Sequence, residues 1–261
     1  MNRPDQLKHK PLVEAILEAK WALEPGPVPE AKRDPHYKFL LGTLFEKIRD
    51  AYPYHEELPA ASIPDEITPH VVHHRFRTEP GGWPLLQVGP GIFTVNETAA
   101  YDWNSFRHRI DRAITTLFTA YPKPEALKFE TLMLRFINAI PLDFAKVNML
   151  EFLRAKMRTS LSLPHSIFED STISPNPVEL VSQFVFPCEK PSGVLFLKFS
   201  SGRKGPDPAL IFDLRFISRG RSIPRMPEDF LGWADAAHAV IENTFFRLIE
   251  GDLEKEFRGD D

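Results

Sequence analysis

Residues 83–96 read WPLLQVGPGIFTVN, and this stretch decides the expected fold. Two apolar, β-prone runs flank Gly89-Pro90-Gly91, where glycine supplies the positive φ that a tight turn needs. The stretch therefore predicts a β-hairpin. Apolar residues occur on both faces of each run, which favours a central pair of strands buried on both sides.

Period-two patterns around the hairpin predict the other strands of a sheet. Residues 12–21 alternate apolar side chains with Glu and Lys, although their Ala, Leu, Glu and Lys content also suits a helix. We interpret this segment as a strand. The remaining predicted strands are 70–78, 127–140, 178–186, 194–200 and 210–217.

Apolar residues at helical spacing predict four helices. Prolines end two of them, and Asp102 or Asn104 is expected to cap the second. The predicted helices cover residues 36–52, a segment that begins at 102–104, residues 147–159, and residues 230–257.

The order of these elements repeats along the chain. Residues 1–126 and residues 127–261 each give strand, helix, three strands and helix, and a Trp-x₄-His pair begins each closing helix, at Trp103 and Trp233. We therefore predict an α+β protein of two similar, closely packed halves, each an antiparallel sheet with helices on one face. The repeat suggests an ancient duplication, with chance as the alternative.

Composition restricts the classes of function. The chain has 261 residues, a net charge of −4 and one cysteine, Cys188, so an internal disulfide and a cysteine-based zinc site are excluded. Net acidity disfavours a nucleic-acid partner. Residues 1–5 lack the apolar core of a signal peptide, and no apolar run is long enough for a membrane span. A soluble cytoplasmic protein is expected.

The best single-residue candidate for a binding site is Arg135, which lies in an apolar strand. A charged side chain there must be paired or must face a cleft. Either Arg135 pairs with a carboxylate such as Glu130 or Glu97, or it joins Asn138 and His238 around an anionic ligand between sheet and helices.

Asp235, His238 and Glu242 share one face of the last predicted helix. Such a set could transfer protons or bind a cation. A solvated helix face with one histidine at its border explains the same spacing, and we assign no catalytic residue.

Two basic loops are candidates for anion binding. One contains Arg203 and Lys204, and the other contains Arg219 and Arg221, each beside Gly or Ser. No helix follows the first loop, so it is not a phosphate-binding loop of the nucleotide-binding type. Solvated hairpin tips are the alternative.

Neither a metal nor a cofactor is expected. His70 and His74 would point the same way on a strand but would lie about 13 Å apart, too far for one metal ion. No dinucleotide fingerprint, nucleophile elbow or His-Glu-x-x-His motif is present.

Five stretches together carry a family resemblance: PLVEA at 11–15, LQVGPG at 86–91 with Asn96, Tyr101 with Trp103 and Phe106, LRFIN at 134–138, and residues 238–245. Over nearly its whole length the chain resembles a sporadically distributed bacterial family of unknown function, whose pattern in the fourth stretch is Leu-Arg-Tyr-Ile-Asn. The resemblance implies no catalytic residue. Its patchy distribution is typical of mobile, defence or toxin–antitoxin genes.

These observations favour a non-enzymatic binding protein that acts through a protein partner or as a homo-oligomer. Proline-rich loops and aromatic residues such as Tyr52, Tyr54, Trp83 and Trp233 could form its recognition surface. The alternative is a small-molecule binding protein or an enzyme with an anionic ligand. Nucleic-acid binding through the basic loops is the least favoured.

Overall fold

A computed structural model describes residues 7–26, 29–98 and 101–260, and in these ranges the chain forms a nine-stranded antiparallel sheet, a two-stranded sheet and five α-helices. The fold is α+β, as predicted. The strands are β1 (Leu12–Trp21), β2 (Glu24–Pro25), β3 (Lys32–Arg33), β4 (Tyr54–Glu57), β5 (His74–Arg77), β6 (Leu85–Gly89), β7 (Ile92–Glu97), β8 (Phe129–Pro141), β9 (Val181–Cys188), β10 (Gly193–Lys204) and β11 (Asp207–Arg219). The helices are α1 (Tyr37–Ile48), α2 (Trp103–Ala120), α3 (Met149–Lys156), α4 (Phe230–Ile249) and α5 (Asp252–Arg258).

Both halves of the chain contribute to one continuous sheet, whose strand order is β4-β5-β6-β7-β1-β8-β11-β10-β9. The halves meet where β1 pairs with β8. Outward from β1 come β7, β6 and β5, and outward from β8 come β11, β10 and β9, so the two sides use their strands in the same order. β4 has no counterpart. The duplication itself stays a prediction.

Strand β1 settles the choice between strand and helix for residues 12–21. Ala15, Leu17, Ala19 and Trp21 are fully buried on one face, while the residues between them are partly exposed. This alternation is what a strand requires when only one face meets the main core. The strand prediction is confirmed, and β1 is the middle strand of the sheet.

The 83–96 hairpin is confirmed as β6 and β7, although β1 and β8, rather than this pair, form the centre of the sheet. Gly89 pairs with Ile92, which leaves Pro90 and Gly91 as a two-residue loop. Gly91 has φ +76°, the value expected at the second central position of a type II turn. Gly89 is needed for another reason, because a Cβ there would lie 1.8 Å from the carbonyl oxygen of Val71.

This close approach gives a first prediction. Gly89→Ala should lower the free energy of unfolding by about 2 kcal/mol, because backbone must move to admit the methyl group. The control is Gly42→Ala in α1, where nothing lies within 4 Å of the added carbon; that change should stabilise the protein by about 0.5–1 kcal/mol. Urea unfolding of both variants checks the pair. Equal effects would show that the Gly89 contact does not constrain the fold.

The predicted strand at 70–78 is shorter than expected. His70 has φ +59° and its ring nitrogen contacts the carbonyl of Trp21, and β5 begins only at His74. The single helix predicted at 230–257 is also wrong, because Gly251, with φ +119°, separates α4 from α5. Sequence reasoning also missed β4 and the small β2–β3 sheet.

The main helices pack on one face of the sheet. α1 contacts α2, α2 contacts α4, and α4 lies against β11 and β8. Phe106 and Ile110 of α2 and Ile241 of α4 are buried in the same core as Leu17 and Phe212 of the sheet. Asp102 caps α2, accepting a hydrogen bond from the backbone N–H of Ser105 at 2.9 Å. No helix in the described part of the chain is both long and apolar enough to cross a bilayer.

Candidate functional site

A cavity of about 490 Å³ lies between the sheet, the start of α2 and the middle of α4. Four segments that are distant in sequence form its walls. They are residues 7–12, 101–104, 136–138 and 235–246, together with Leu214. Because residues of both halves of the chain line the cavity, it exists only when the two halves are folded together.

His238 of α4 forms one wall of the cavity. Its ring stacks on Trp103, with ring centroids 3.8 Å apart and planes within 7°. Phe136 of β8 meets the same ring edge-on at 5.8 Å, and the Tyr101 hydroxyl lies 3.1 Å from its Nε2. The imidazole is therefore fixed on three sides and keeps only 9% of its surface exposed.

Burial keeps this histidine neutral. Desolvation lowers the pKa of His238 to about 4, against the opposing effect of the Asp235 carboxylate. Burial, followed by the Glu242 charge, raises the pKa of Tyr101 well above its usual value. At pH 7 the Tyr101–His238 pair is thus uncharged and presents neutral hydrogen-bonding groups.

An ion pair joins α2 and α4 beside the histidine. Arg107 donates from Nε and Nη2 to the two oxygens of Asp235, at 2.5 and 2.7 Å. These hydrogen bonds hold the pKa of Asp235 below its usual value. Asp235, His238 and Glu242 all line the cavity, as their shared helical face allowed. However, both Asp235 oxygens are bound to Arg107, so the site offers stacking and hydrogen bonding rather than an aspartate–histidine proton relay.

Asn138 supplies the polar group on the sheet side. It is buried, and its Nδ2 donates only long hydrogen bonds, 3.5 Å to the carbonyl of Phe136 and 3.4 Å to that of Phe212. Such lengths are at the limit for a hydrogen bond, so the amide is weakly held. The structure brings the predicted residues Asn138 and His238 to one cavity.

Arg135 does not join them, because it lies three residues before Asn138 on β8 and points to the opposite face of the sheet. There it donates to both oxygens of Asp213 on β11, at 3.0 and 2.8 Å. Asp213 is buried and also lies 3.3 Å from Arg215. Of the two alternatives for Arg135, the structure shows the pairing with a carboxylate, although the partner is Asp213 and neither Glu130 nor Glu97.

The two basic loops lie at opposite ends of β11. Arg203 and Lys204 are at the β10–β11 turn, where the Arg203 guanidinium donates to the carbonyl of Pro206. Arg219 ends β11 and Arg221 lies in the short 3₁₀ turn after it. The 13 residues of β11 separate the loops by roughly 40 Å at about 3.3 Å per residue. They cannot bind one small anion together.

The histidines of the 70–74 region make local contacts with neighbouring side chains. His74 Nδ1 lies 3.0 Å from His55 Nε2, and the His73 ring meets the Thr68 hydroxyl. Within residues 7–26, 29–98 and 101–260, no three His, Cys, Asp or Glu side chains are grouped so that they could hold a metal ion.

Sequence reasoning missed the contribution of Tyr101, Trp103 and Lys10 to the site. The sequence singled out Trp103 through its spacing from a histidine of its own helix and as part of the resemblance, whereas in the structure it stacks on the histidine of the other closing helix. Lys10 donates to the carbonyl of Tyr101 at 2.7 Å and so fixes the start of α2. No local pattern signals contacts across 91 residues or more.

No protein-family model and no curated protein matches the chain. Pro11, Tyr101, Trp103, Asn138 and His238 come from separate stretches of the sequence and all line the cavity.

Proposed function

We propose that the protein binds a compact organic molecule in the cavity between α2, α4 and the sheet. The observation that carries this proposal is the lining itself, in which three neutral polar side chains, Tyr101, His238 and Asn138, stand among aromatic and aliphatic walls. At about 490 Å³ the cavity falls in the size range of small-molecule sites.

The lining favours an uncharged ligand with a ring-containing body and a hydrogen-bonding group. Aromatic walls are provided by Trp103, Phe136 and Phe245, which suit a planar apolar body. Charged lining residues are mostly carboxylates, with one ammonium from Lys10, while Arg135 is on the other face. This arrangement argues against the anionic ligand that was expected when Arg135 was included.

Blocking the cavity tests the proposal. Ala239 is exposed on α4 and borders the cavity, so Ala239→Trp should fill it without removing a core side chain. Asn243→Trp is the matched control, because Asn243 is exposed on the same helix and does not line the cavity. The neutral dye Nile red serves as the probe, and its fluorescence rises on transfer from water to an apolar site.

Wild type and Asn243→Trp should bind Nile red with similar affinity, and Ala239→Trp should bind it about tenfold more weakly or worse. Melting temperatures establish that both variants are folded. Equal binding by Ala239→Trp, or no binding by the wild type, would contradict the proposal. Native mass spectrometry of gently purified protein, with a small excess mass that is lost on denaturation, would detect the natural ligand.

Action through a protein partner stays a prediction that rests on the absence of catalytic motifs and on the aromatic, proline-rich loops. A role in bacterial defence or a toxin–antitoxin system is a prediction that rests on the resemblance alone. One feature of the fold supports a protein contact of some kind. The sheet ends in strand β9, which has apolar side chains at its surface.

A further inference from the structure

Strand β9 is an unprotected edge of the sheet. It is last in the strand order, and no described strand pairs with its outer side. Its sequence, VSQFVFPC, contains no charged residue. Val181, Val185 and Phe186 are 61%, 48% and 47% exposed, and Val178 just before them is 93% exposed. Charged residues or short length commonly protect such edges, and the opposite edge, β4, has four residues of which two are glutamates.

The hydrogen bonds between β9 and β10 identify which main-chain groups of β9 point away from the sheet. The N–H of Ser201 on β10 donates to the carbonyl of Leu180 at 2.9 Å, and Val181 pairs with Ser200. In an antiparallel pair, residues turn their N–H and C=O alternately toward and away from the partner strand. The main-chain N–H and C=O groups of Leu180 and of every second residue after it therefore point toward β10. The residues of β9 whose main-chain groups point away from β10 are Val181, Gln183, Val185 and Pro187, and Pro187 has no N–H to donate.

We propose that this edge binds the same edge of a second copy of the chain, with the two β9 strands antiparallel about a two-fold axis at Gln183. In this register Gln183 faces its own equivalent, and Val181 faces Val185 of the second copy. Every outward N–H and C=O of Val181, Gln183 and Val185 then has a partner. Moving the register by one pair toward the C-terminus would oppose Pro187 to Val181, and hydrogen bonds would be lost.

Side chains favour the same register. On the helix-bearing face of the sheet, Leu180 would lie opposite Phe186 of the second copy, and Val178 opposite Cys188. Each exposed apolar side chain of the edge thereby meets an apolar neighbour, and cross-strand pairs of this kind stabilise sheets. No like charges oppose each other, because the strand carries none. The fit is isologous, as a two-fold dimer requires.

Substitutions of Gln183 test the pairing of the β9 edge without removing a main-chain hydrogen bond inside the sheet. Gln183→Pro removes only an outward N–H, since this residue makes no main-chain bond to β10, whereas Gln183→Ala keeps the N–H and loses only the side chain. In native mass spectrometry and in light scattering after size exclusion, wild type and Gln183→Ala should be dimers. Gln183→Pro should dissociate about 100-fold more readily.

A charge pair tests the register and does not depend on whether the proline variant folds. Val185→Lys alone should also produce monomers, because its ammonium would face Val181 of the second copy. Adding Val181→Glu should restore the dimer, since each lysine then faces a glutamate. A wild type that stays monomeric at about 50 µM, an unaffected Gln183→Pro, or a double variant no better than Val185→Lys would overturn the proposal. A complex with a different polypeptide in place of the dimer would overturn it too.

Discussion

Asp34→Ala is expected to lower the free energy of unfolding by about 3 to 5 kcal/mol, the largest effect predicted here for a polar residue. The Asp34 carboxylate is buried and accepts hydrogen bonds from Trp21 Nε1 at 2.8 Å, from Tyr121 Oη at 2.7 Å and from the backbone N–H of His36 at 2.9 Å. Without it, the indole and phenol donors stay buried and unpaired. Each such donor costs about 1–3 kcal/mol.

Tyr121 remains a donor at any ordinary pH, because burial, followed by its hydrogen bond to Asp34, raises the pKa of its hydroxyl well above its usual value. Asp34→Asn is the matched control, since it keeps an acceptor oxygen at the same place and should lose less stability. Chemical unfolding at pH 7 measures both variants. A loss below about 1 kcal/mol for Asp34→Ala would mean that water replaces the carboxylate at this site.

Acid should destabilise the protein through His238. Its folded-state pKa is about 4, and an unfolded histidine titrates near pH 6.5. Between these values the unfolded chain binds the extra proton and the folded chain does not, so stability rises with pH across this window. The contribution is complete above about pH 6.5 and is lost as pH falls to 4, for a total of about 3 kcal/mol.

Comparison with His238→Phe isolates this contribution, because phenylalanine keeps the stack on Trp103 and cannot titrate. Burial also lowers the pKa values of His73 and His74, and these groups contribute equally to both proteins and cancel in the difference. When the pH is lowered from 7 to 4.5, the free energy of unfolding should fall much more in the wild type than in His238→Phe. Parallel pH profiles would show that His238 becomes protonated in the folded state without penalty.

Local sequence patterns predicted an element correctly where one face of that element meets the core. Strand β1 was predicted from its period-two alternation of apolar and charged residues, and the β6–β7 hairpin from Gly-Pro-Gly, since both signals lie within a few residues. The short edge strand β4 was missed because Tyr54–Glu57 is almost wholly exposed and so lacks any apolar alternation. The break in the last helix depends on the conformation of Gly251, which sequence periodicity does not encode.

The candidate site was only partly predictable, because it depends on the face of β8 that each residue occupies and on the strand that pairs with β8. Asn138 and Arg135 stand three apart on β8, so they belong to opposite faces, and strand alternation alone predicts this. Which carboxylate pairs with Arg135 depends on β11 lying beside β8 with Arg215 opposite Arg135, a pairing between residues 80 apart in sequence. The stack of Trp103 on His238 likewise requires α2 to pack against α4, which the sequence of neither helix specifies by itself.

The position of β1 between β7 and β8 has a consequence for how the chain reaches its native state. Ile16 pairs with Asn96 and with Arg135, which are 96 − 16 = 80 and 135 − 16 = 119 residues away. During synthesis the middle strand of the sheet therefore precedes both of its partners, and one of its edges stays unpaired until β8 has been made. Pairings of such long separation make folding slow and leave strand edges exposed meanwhile. The topology thus leaves an edge of β1 open to non-native pairing while the chain is incomplete.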